Sequence, residues 1–435
     1  MSVPCKTLLL IALGVFAAVL PAPARPEPAT LTLRSAAEEA LRANPELRAV
    51  REAIEGARGR LLQAGLRPNP ELGLSATSDI DFANEEQDQA LSISQRFPIA
   101  GRLARARDVA AVDVSLAETE VRDFERLLVA DVQASVVRLL TLERTASARE
   151  QVIGAVRELV RISEKRLQAA QVSEADLNLL AIELAGLEQE QRLLGLEQAT
   201  ERARLNRLLN RAPSAPIRVA GDVEQPAFAV PAPAQLASRA QAGRPELARL
   251  RLEAERARAE AALARAETWE DWTVDASYLR TRGTIDDAGL SLVDRDQILG
   301  LAVRVPLPLW NRNQGRIAEA ISLERQATAR LEASERKVEE ELEAASRRVE
   351  ALEQVAREYR EALVPRAERN VALLARGYRE GLSPISELVQ AQRQLSDTSL
   401  ASARTLGDLR QAEIELEAAA AMSPLLSDAA QEESR

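Results

Sequence analysis

The chain has 435 residues, of which 29% are charged and 3% aromatic, with a net charge of −10. That balance fits long helices with solvated faces. The negative excess argues against nucleic acid, whose binding proteins concentrate positive charge, and against an anionic lipid surface as partner. Histidine is absent, Cys5 is the sole cysteine, and Met422 is the only methionine after the start. These absences remove Ser-His-Asp, Cys-His and most zinc chemistry, and with it a methionine-lined copper route. With no nucleophile–base set or metal-ligand cluster visible, the chain reads as no enzyme and as needing no cofactor, leaving open only an isolated Asp/Glu pair.

At the N-terminus, Lys6 precedes an apolar run from Thr7 to Leu20 and then Pro21-Ala22-Pro23-Ala24. A positive start, a short apolar core and an A-x-A end predict a secretory signal peptide over residues 1–24, the alternative being a buried helix. Cys5 lies before the apolar core and so is not a lipidated cysteine; the mature chain would have no thiol. No later run is long and apolar enough for a transmembrane helix.

A first repeat is expected over 25–210. Thr32 and Ser35 open a helix that stops at Asn44-Pro45, because proline disfavours a helical residue before it. A second helix runs from Glu46 to about Gly65, and Arg67-Pro68-Asn69-Pro70 ends it. The period then changes to two: Leu72, Leu74 and Ala76, and after a polar loop Leu91 and Ile93, alternate with polar or small residues. This predicts a strand pair over 70–97 with one apolar face. A helical hairpin follows over 98–210. Val121, Phe124, Leu128, Val132, Ser135, Leu139 and Leu142 recur in steps of three and four, and the rhythm resumes at Leu177, Leu180, Leu184, Leu187 and Leu194. Such a stripe suits long helices coiling around neighbours. If the chain turns at Ala169-Ala170-Gln171-Val172-Ser173, the arm from Arg102 to Gln168 is roughly 100 Å long.

A Pro/Ala-rich linker, 211–233, leads to a second repeat over 234–422, with a strand pair at 269–305 and a helical hairpin at 306–420; a polar tail closes the chain at 423–435. Asn44-Pro45-Glu46-Leu47 returns as Arg244-Pro245-Glu246-Leu247, and Ala170 to Asp176 returns as Gly381 to Glu387. The chain is therefore read as a tandem duplication. Pro365 is expected to mark a break between stacked helices, with Gly154 as its counterpart. Glu339-Glu340-Glu341 reads as a solvated helix face, and Glu85-Glu86 and Asp286-Asp287 as loop acids.

Four strands cannot close a barrel, and an open sheet leaves exposed edges. Strands of about ten residues with one apolar face suit an outer-membrane barrel. Phe82, Phe97, Trp269, Trp272, Tyr278 and Trp310 lie within or beside the strand pairs, as a membrane-interface belt would require. The alternative is a soluble β-sandwich patch capped by helices.

The signal peptide, the duplicated helix–strand–strand–helix plan and the long hairpins together resemble the TolC-type outer-membrane efflux channels, over essentially the whole mature chain. Leu66-Arg67-Pro68-Asn69-Pro70-Glu71-Leu72 and Gln95-Arg96-Phe97-Pro98-Ile99-Ala100-Gly101-Arg102 look like the cobalt–zinc–cadmium resistance branch. The resemblance implies a mainly α fold with membrane β-strands: a homotrimer giving four strands per chain to a 12-stranded barrel that continues into a periplasmic α-helical barrel. It implies a passive conduit in the outer membrane of a Gram-negative bacterium, in contact with outer-membrane lipid. Its partners would be a periplasmic adaptor, or membrane fusion protein, and an inner-membrane pump of the resistance-nodulation-division type, with heavy-metal cations as cargo. A multidrug or type I secretion channel of the same fold is the alternative; outside this class, a periplasmic coiled-coil structural protein is.

Carried over residue by residue, the resemblance places Glu387, and in the first repeat Asp176, at the narrowest point of the pore, where a carboxylate ring attracts cations. The position one turn beyond Glu387, often acidic in the family, is Gln390. Tyr378 matches a tip tyrosine that pairs with the first-repeat acid in the closed state, whereas the family's closing arginine is replaced by Ser383. Gly381, Leu382 and Ser383, with Ala170, Gln171, Val172 and Ser173, match the turns that meet the adaptor. The competing readings are helix-N-terminal acids for Asp176 and Glu387, a packed aromatic for Tyr378, and ordinary hairpin turns.

Overall fold

The computed structural model describes residues 29–78, 87–226, 231–287 and 290–422. The expected signal peptide, Phe82, Glu85-Glu86 and the polar tail lie outside the described residues. In chain order the first repeat comprises β1 (Ala29–Leu31), α1 (Leu33–Ala43), α2 (Pro45–Ala64), β2 (Glu71–Ser78), β3 (Gln87–Phe97), α3 (Arg102–Gln168) and α4 (Glu174–Leu208). After β4 (Ile217–Val219) the second comprises α5 (Pro233–Gly243), α6 (Pro245–Ala266), β5 (Trp272–Asp287), β6 (Leu290–Arg304), α7 (Gln314–Glu358), a π-helical turn at Tyr359–Leu363, α8 (Val364–Arg379) and α9 (Ile385–Ala419). The duplicated plan of helices, strand pair and helical hairpin is thus the fold of the molecule.

Local chemistry sets the boundaries. Thr32 and Ser35 exchange side-chain and backbone hydrogen bonds in a capping box at the start of α1, which satisfies two otherwise orphaned donors. Asn44 ends α1 and caps α2: its Oδ1 accepts from the Leu47 N–H at 3.0 Å, and Pro45 fills the first turn, where its missing N–H costs nothing. The Asn44 amide also donates to the Leu208 carbonyl at 3.0 Å, tying this corner to the end of α4. In the second repeat Arg244 replaces Asn44 and makes no side-chain cap. Its guanidinium is buried and pairs with Glu246 and Glu341 instead. Glu341 is therefore not part of a purely solvated face. Burial pushes its carboxyl up, but the Arg244 hydrogen bond and the Arg244 and Lys337 charges hold it below the usual carboxylate range.

α3 is a single helix of 67 residues. It packs along α4, α9, α2 and α6, burying Val121, Leu128, Val132, Ser135 and Leu139 of the apolar stripe. It passes Gly154 without interruption, so no break marks that position. Pro365 differs. It lies in the first turn of α8, just after the π-helical turn, in which the Val364 N–H reaches back to Tyr359 O. Proline has no N–H to donate, and its ring would collide with the carbonyl four residues earlier; the widened turn makes room, and the rod continues through it.

Both hairpins close the same way. Ala170 and Gly381 have φ of 54° and 78°. Around them Gln171 N–H bonds to Arg166 O and Leu382 N–H to Gly377 O, each at 2.8 Å, the signature of a Schellman closure. Asn210 and Ala421 repeat this geometry at the ends of α4 and α9, with φ of 56° and 52°. The linker over residues 211–226 is tied down. β4 pairs in parallel with β1, Arg211 forms a two-pronged bridge to Glu39, and Arg410 donates to the carbonyls of Val223 and Glu224.

The main sheet is antiparallel, in the order β2-β3-β5-β6. β5 and β6 have 16 and 15 residues, longer than expected. Asp286 and Asp287 pair with Ser291 and Leu290 inside that ribbon rather than lying in a loop.

Candidate functional site

Register decides what each face of the sheet presents, because paired residues share a face. Leu72, Ile93, Ala276 and Leu301 form one row across the four strands, and Leu74, Leu91, Tyr278 and Leu299 the next. Val274 with Val303, and Phe97 with Trp272, complete this face towards the helices. It is uncovered: Leu74 is 77%, Leu299 86% and Leu301 76% exposed. The opposite face carries Gly73, Ser92, Ser277 and Gly300 in one row, and Glu71, Ser94, Asp275 and Ala302 in another. Among the described residues no helix lies over the apolar face, and the outer edges of β2 and β6 are unpaired. Of the expected aromatic belt, Trp272 and Phe97 face each other at its helix-proximal rim, Tyr278 sits six residues further along β5, and Trp269 and Trp310 are exposed beside the strand roots. Among the described residues no helix is long and apolar enough to cross a membrane, which says nothing of a β-barrel.

The strand–helix junctions are built from the two sequence motifs. Gln95 Nε2 donates to Pro68 O at 2.9 Å, and Arg102 pairs with Asp271 at 2.7 Å. Gly101 takes φ of 70° at the start of α3, a conformation glycine adopts without penalty. These residues fix how the helices leave the sheet.

At the far end, the α3–α4 turn (Ala170, Gln171, Val172, Ser173) and the α8–α9 turn (Gly381, Leu382, Ser383) form the hairpin tips, above a small core of Val152, Ile153, Val156, Leu180, Leu187, Tyr378, Ile385, Leu388 and Val389. Leu382 is 77% exposed. Glu387 is exposed in the first turn of α9 and makes no side-chain ion pair or hydrogen bond among the described residues; Gln390, also exposed, follows one turn on. Asp176 behaves differently. Its carboxylate accepts from the Ser173 N–H at 3.2 Å and from Ser173 Oγ at 2.8 Å, and the Asp176 N–H donates back to Ser173 Oγ. It is a capping residue of α4.

Within the chain Tyr378 does not meet Asp176. Its hydroxyl lies 3.1 Å from Ser163 Oγ on α3, both residues being buried. Arg166 stacks its guanidinium 4.8 Å from the Tyr378 ring centre. Arg166 also donates to the carbonyls of Tyr378 and Arg379 at the end of α8, where a positive charge opposes the helix dipole favourably. Ser163 and Arg166 were not legible as tip residues, because partners more than 200 positions away carry no local signature; a basic residue in the last turn of α3 was the only hint. Nearer the middle, Glu183 on α4 is buried and bridged to Arg393 on α9, which ties these two helices together. No group of three or more His, Cys, Asp or Glu suited to a metal exists among the described residues.

Residues 236–421 match the family model described as outer membrane efflux protein. No curated protein sequence matches the chain. Among solved structures the chain is similar to the outer membrane protein VceC of Vibrio cholerae, with TM-score 0.70 and 19% identity over 89% of this chain and 96% of that one. It is similar to the CmeC outer membrane channel of Campylobacter jejuni, with TM-score 0.74 and 13% identity over 93% and 89%. CusC, whose structures bear on folding and transmembrane channel formation, gives TM-score 0.74 and 17% identity over 89% and 91%. The fold is shared across both repeats, including the first, which the family model does not reach.

Proposed function

We propose that this chain is the outer-membrane channel of a tripartite efflux system: a homotrimer that conducts, without chemistry of its own, substrates delivered by an inner-membrane pump through a periplasmic adaptor. The observation that carries this reading is the four-stranded sheet. One face is apolar and uncovered, the other is mostly small or polar with Leu279 and Ile298 as its large apolar residues, and both edges are free. In water such a sheet exposes apolar area and templates aggregation. Three copies joined edge to edge give 12 strands, remove every edge, put the apolar rows against lipid and enclose the polar rows. The hairpins then continue the tube on the periplasmic side. A periplasmic coiled-coil rod would use the helices but leave the sheet without a purpose.

In this assembly Glu387 and Gln390 belong to the inner rim of the helical tips, and Asp176 stabilises the start of α4. The turns at 170–173 and 381–383 are the surfaces offered to the adaptor. Heavy-metal cations are the proposed cargo, on the resemblance of the two junction motifs; since those residues build joints rather than a lumen, they identify architecture more strongly than cargo. A conduit need not coordinate what it passes, so the lack of histidine does not bear on cargo.

The full chain, extracted from outer membranes, is expected to run as a heat-modifiable trimer and to give discrete conductance steps in planar bilayers. A water-soluble monomer without conductance would refute the reading. Metal sensitivity of a deletion strain, against unchanged drug sensitivity, separates metal cargo from multidrug or protein export.

A further inference from the structure

On the lipid-directed face, the rows beyond Tyr278 change character. Arg280 stands between Gln89 and Gln297, and the next row holds Gln87, Arg282 and Arg295. Arg280 and Arg295 are exposed and neither forms an ion pair among the described residues. From the Trp272 row to the Arg282 row this face has arginines and no carboxylate; Asp88, Asp275 and Asp296 all point to the opposite face. A surface carrying solvated charge at random would mix the signs. Here the lipid side carries bases alone, whereas the opposite side mixes both signs, with Arg96 and Arg304 paired to Glu71 and Asp275.

We propose that this patch binds the phosphorylated acyl glycolipid of the outer leaflet, with its phosphate held by Arg280 and Arg295 and an acyl chain lying on Tyr278, Leu74 and Leu299. The proposal rests on the outer-membrane reading above. Depth supports it. Trp272 and Arg280 are eight residues apart on β5, which at about 3.3 Å per residue and a tilt near 40° spans about 20 Å. With Trp272 at the periplasmic interface, Arg280 therefore lies where the hydrocarbon ends and the outer headgroups begin. Shape supports it too: Leu74, Ala76, Gln89, Leu91, Tyr278 and Arg280 line a shallow depression on the sheet, apolar on one side and cationic on the other. Arg280 and Arg295 are diagonal cross-strand neighbours, about 7 Å apart at their Cβ atoms. Guanidinium groups at that spacing can both reach one phosphate, a geometry that suits bidentate pairing. The chain's net charge of −10, which by itself argues against anionic lipid, does not register this segregation.

The test uses the full-length trimer in detergent, incubated with lipid A, with its dephosphorylated form, or with phosphatidylglycerol, and read by native mass spectrometry. Lipid A is expected to stay bound, and the other two to be lost. The double variant R280Q/R295Q is expected to lower lipid A retention about tenfold, the effect of losing one or two charge-assisted hydrogen bonds. Equal retention by wild type and double variant, or equal retention of all three lipids, overturns the proposal. If the double variant does not assemble, R280Q against R280K carries the comparison, since lysine keeps the charge. Bilayer conductance of the same preparations separates the failures: a conducting trimer that ignores lipid A sinks only this inference, whereas a wild type that neither trimerises nor conducts sinks the channel reading.

Discussion

Single side chains at the tip carry distinct loads. Glu387 is exposed and unpaired, so Glu387→Gln is expected to leave folding unchanged and to reduce the cation-over-anion permeability ratio in bilayers by at least about twofold, because three charges leave a narrow, field-focusing passage. An unchanged ratio would remove Glu387 from the rim. Arg166 closes α8 with two hydrogen bonds and covers the Tyr378 ring. Arg166→Ala should therefore cost about 2 kcal/mol locally and speed amide exchange around residues 377–383, while Tyr378→Phe, which loses only the Ser163 contact, should do less. At the other end of α9, Glu417 is buried with no side-chain partner among the described residues, and burial pushes its carboxyl above the usual range. A carboxyl raised on folding holds its proton longer in the native state, so stability falls as pH rises from the unfolded value, near 4.5, through the folded one. Glu417→Gln should raise the melting midpoint by about 2 °C at neutral pH and make no difference at acid pH. The acids at 176 and 387 occupy matching places in the two repeats, yet one caps its helix and the other does not, because Ser173 can cap whereas Pro384 has no hydroxyl to do so.

Elements show where sequence periodicity is a sufficient guide and where it stops. Arg102 to Gln168 reads directly as one rod, because nothing in it opposes a helix and its apolar residues recur in steps of three and four. The tip turns are legible from the lapse of that stripe, but the left-handed residue is not. Glycine announces it at Gly381; Ala170 adopts it with no sequence sign, since a single αL alanine costs only about 1–2 kcal/mol. Nothing lies within 4 Å of a Cβ built on Gly381, so Gly381→Ala should cost about 1 kcal/mol from the backbone alone, and Ala170→Gly should return a similar amount. Hydrogen-exchange protection of the Leu382 and Gln171 amides, which close the two turns, reads both effects. A loss larger at Leu382 than a backbone term allows would mean that adaptor-facing packing, rather than φ, selects glycine there. The π-helical turn was beyond reach for a related reason: Pro365 says that the regular hydrogen-bond ladder must fail, not whether the chain bends, breaks or widens.

The whole molecule is legible at the level of architecture because two periods, near 3.6 and 2, alternate twice along the chain. What alternation leaves open is register, and register alone brings Leu74, Leu91, Tyr278 and Leu299 into one row and Arg280 beside Arg295. The same register supplies the sharpest test of which solvent each face meets. Leu299 and Ile298 are neighbours on β6, 86% and 50% exposed, and point to opposite faces of the sheet. If lipid covers the Leu299 face, Leu299→Arg places a guanidinium in hydrocarbon one row below the Arg280 boundary, at a cost per chain between about 1 kcal/mol, the interfacial value, and about 2–4 kcal/mol, the midplane value, threefold over in a trimer. Ile298→Arg adds the same charge to the water-filled side. The expected result is that Leu299→Arg abolishes heat-modifiable trimer in outer-membrane fractions, while Ile298→Arg assembles at wild-type yield and shifts ion selectivity towards anions. Equal tolerance of both would mean that neither face meets lipid; the opposite order would mean that the barrel is closed inside out relative to the assembly proposed.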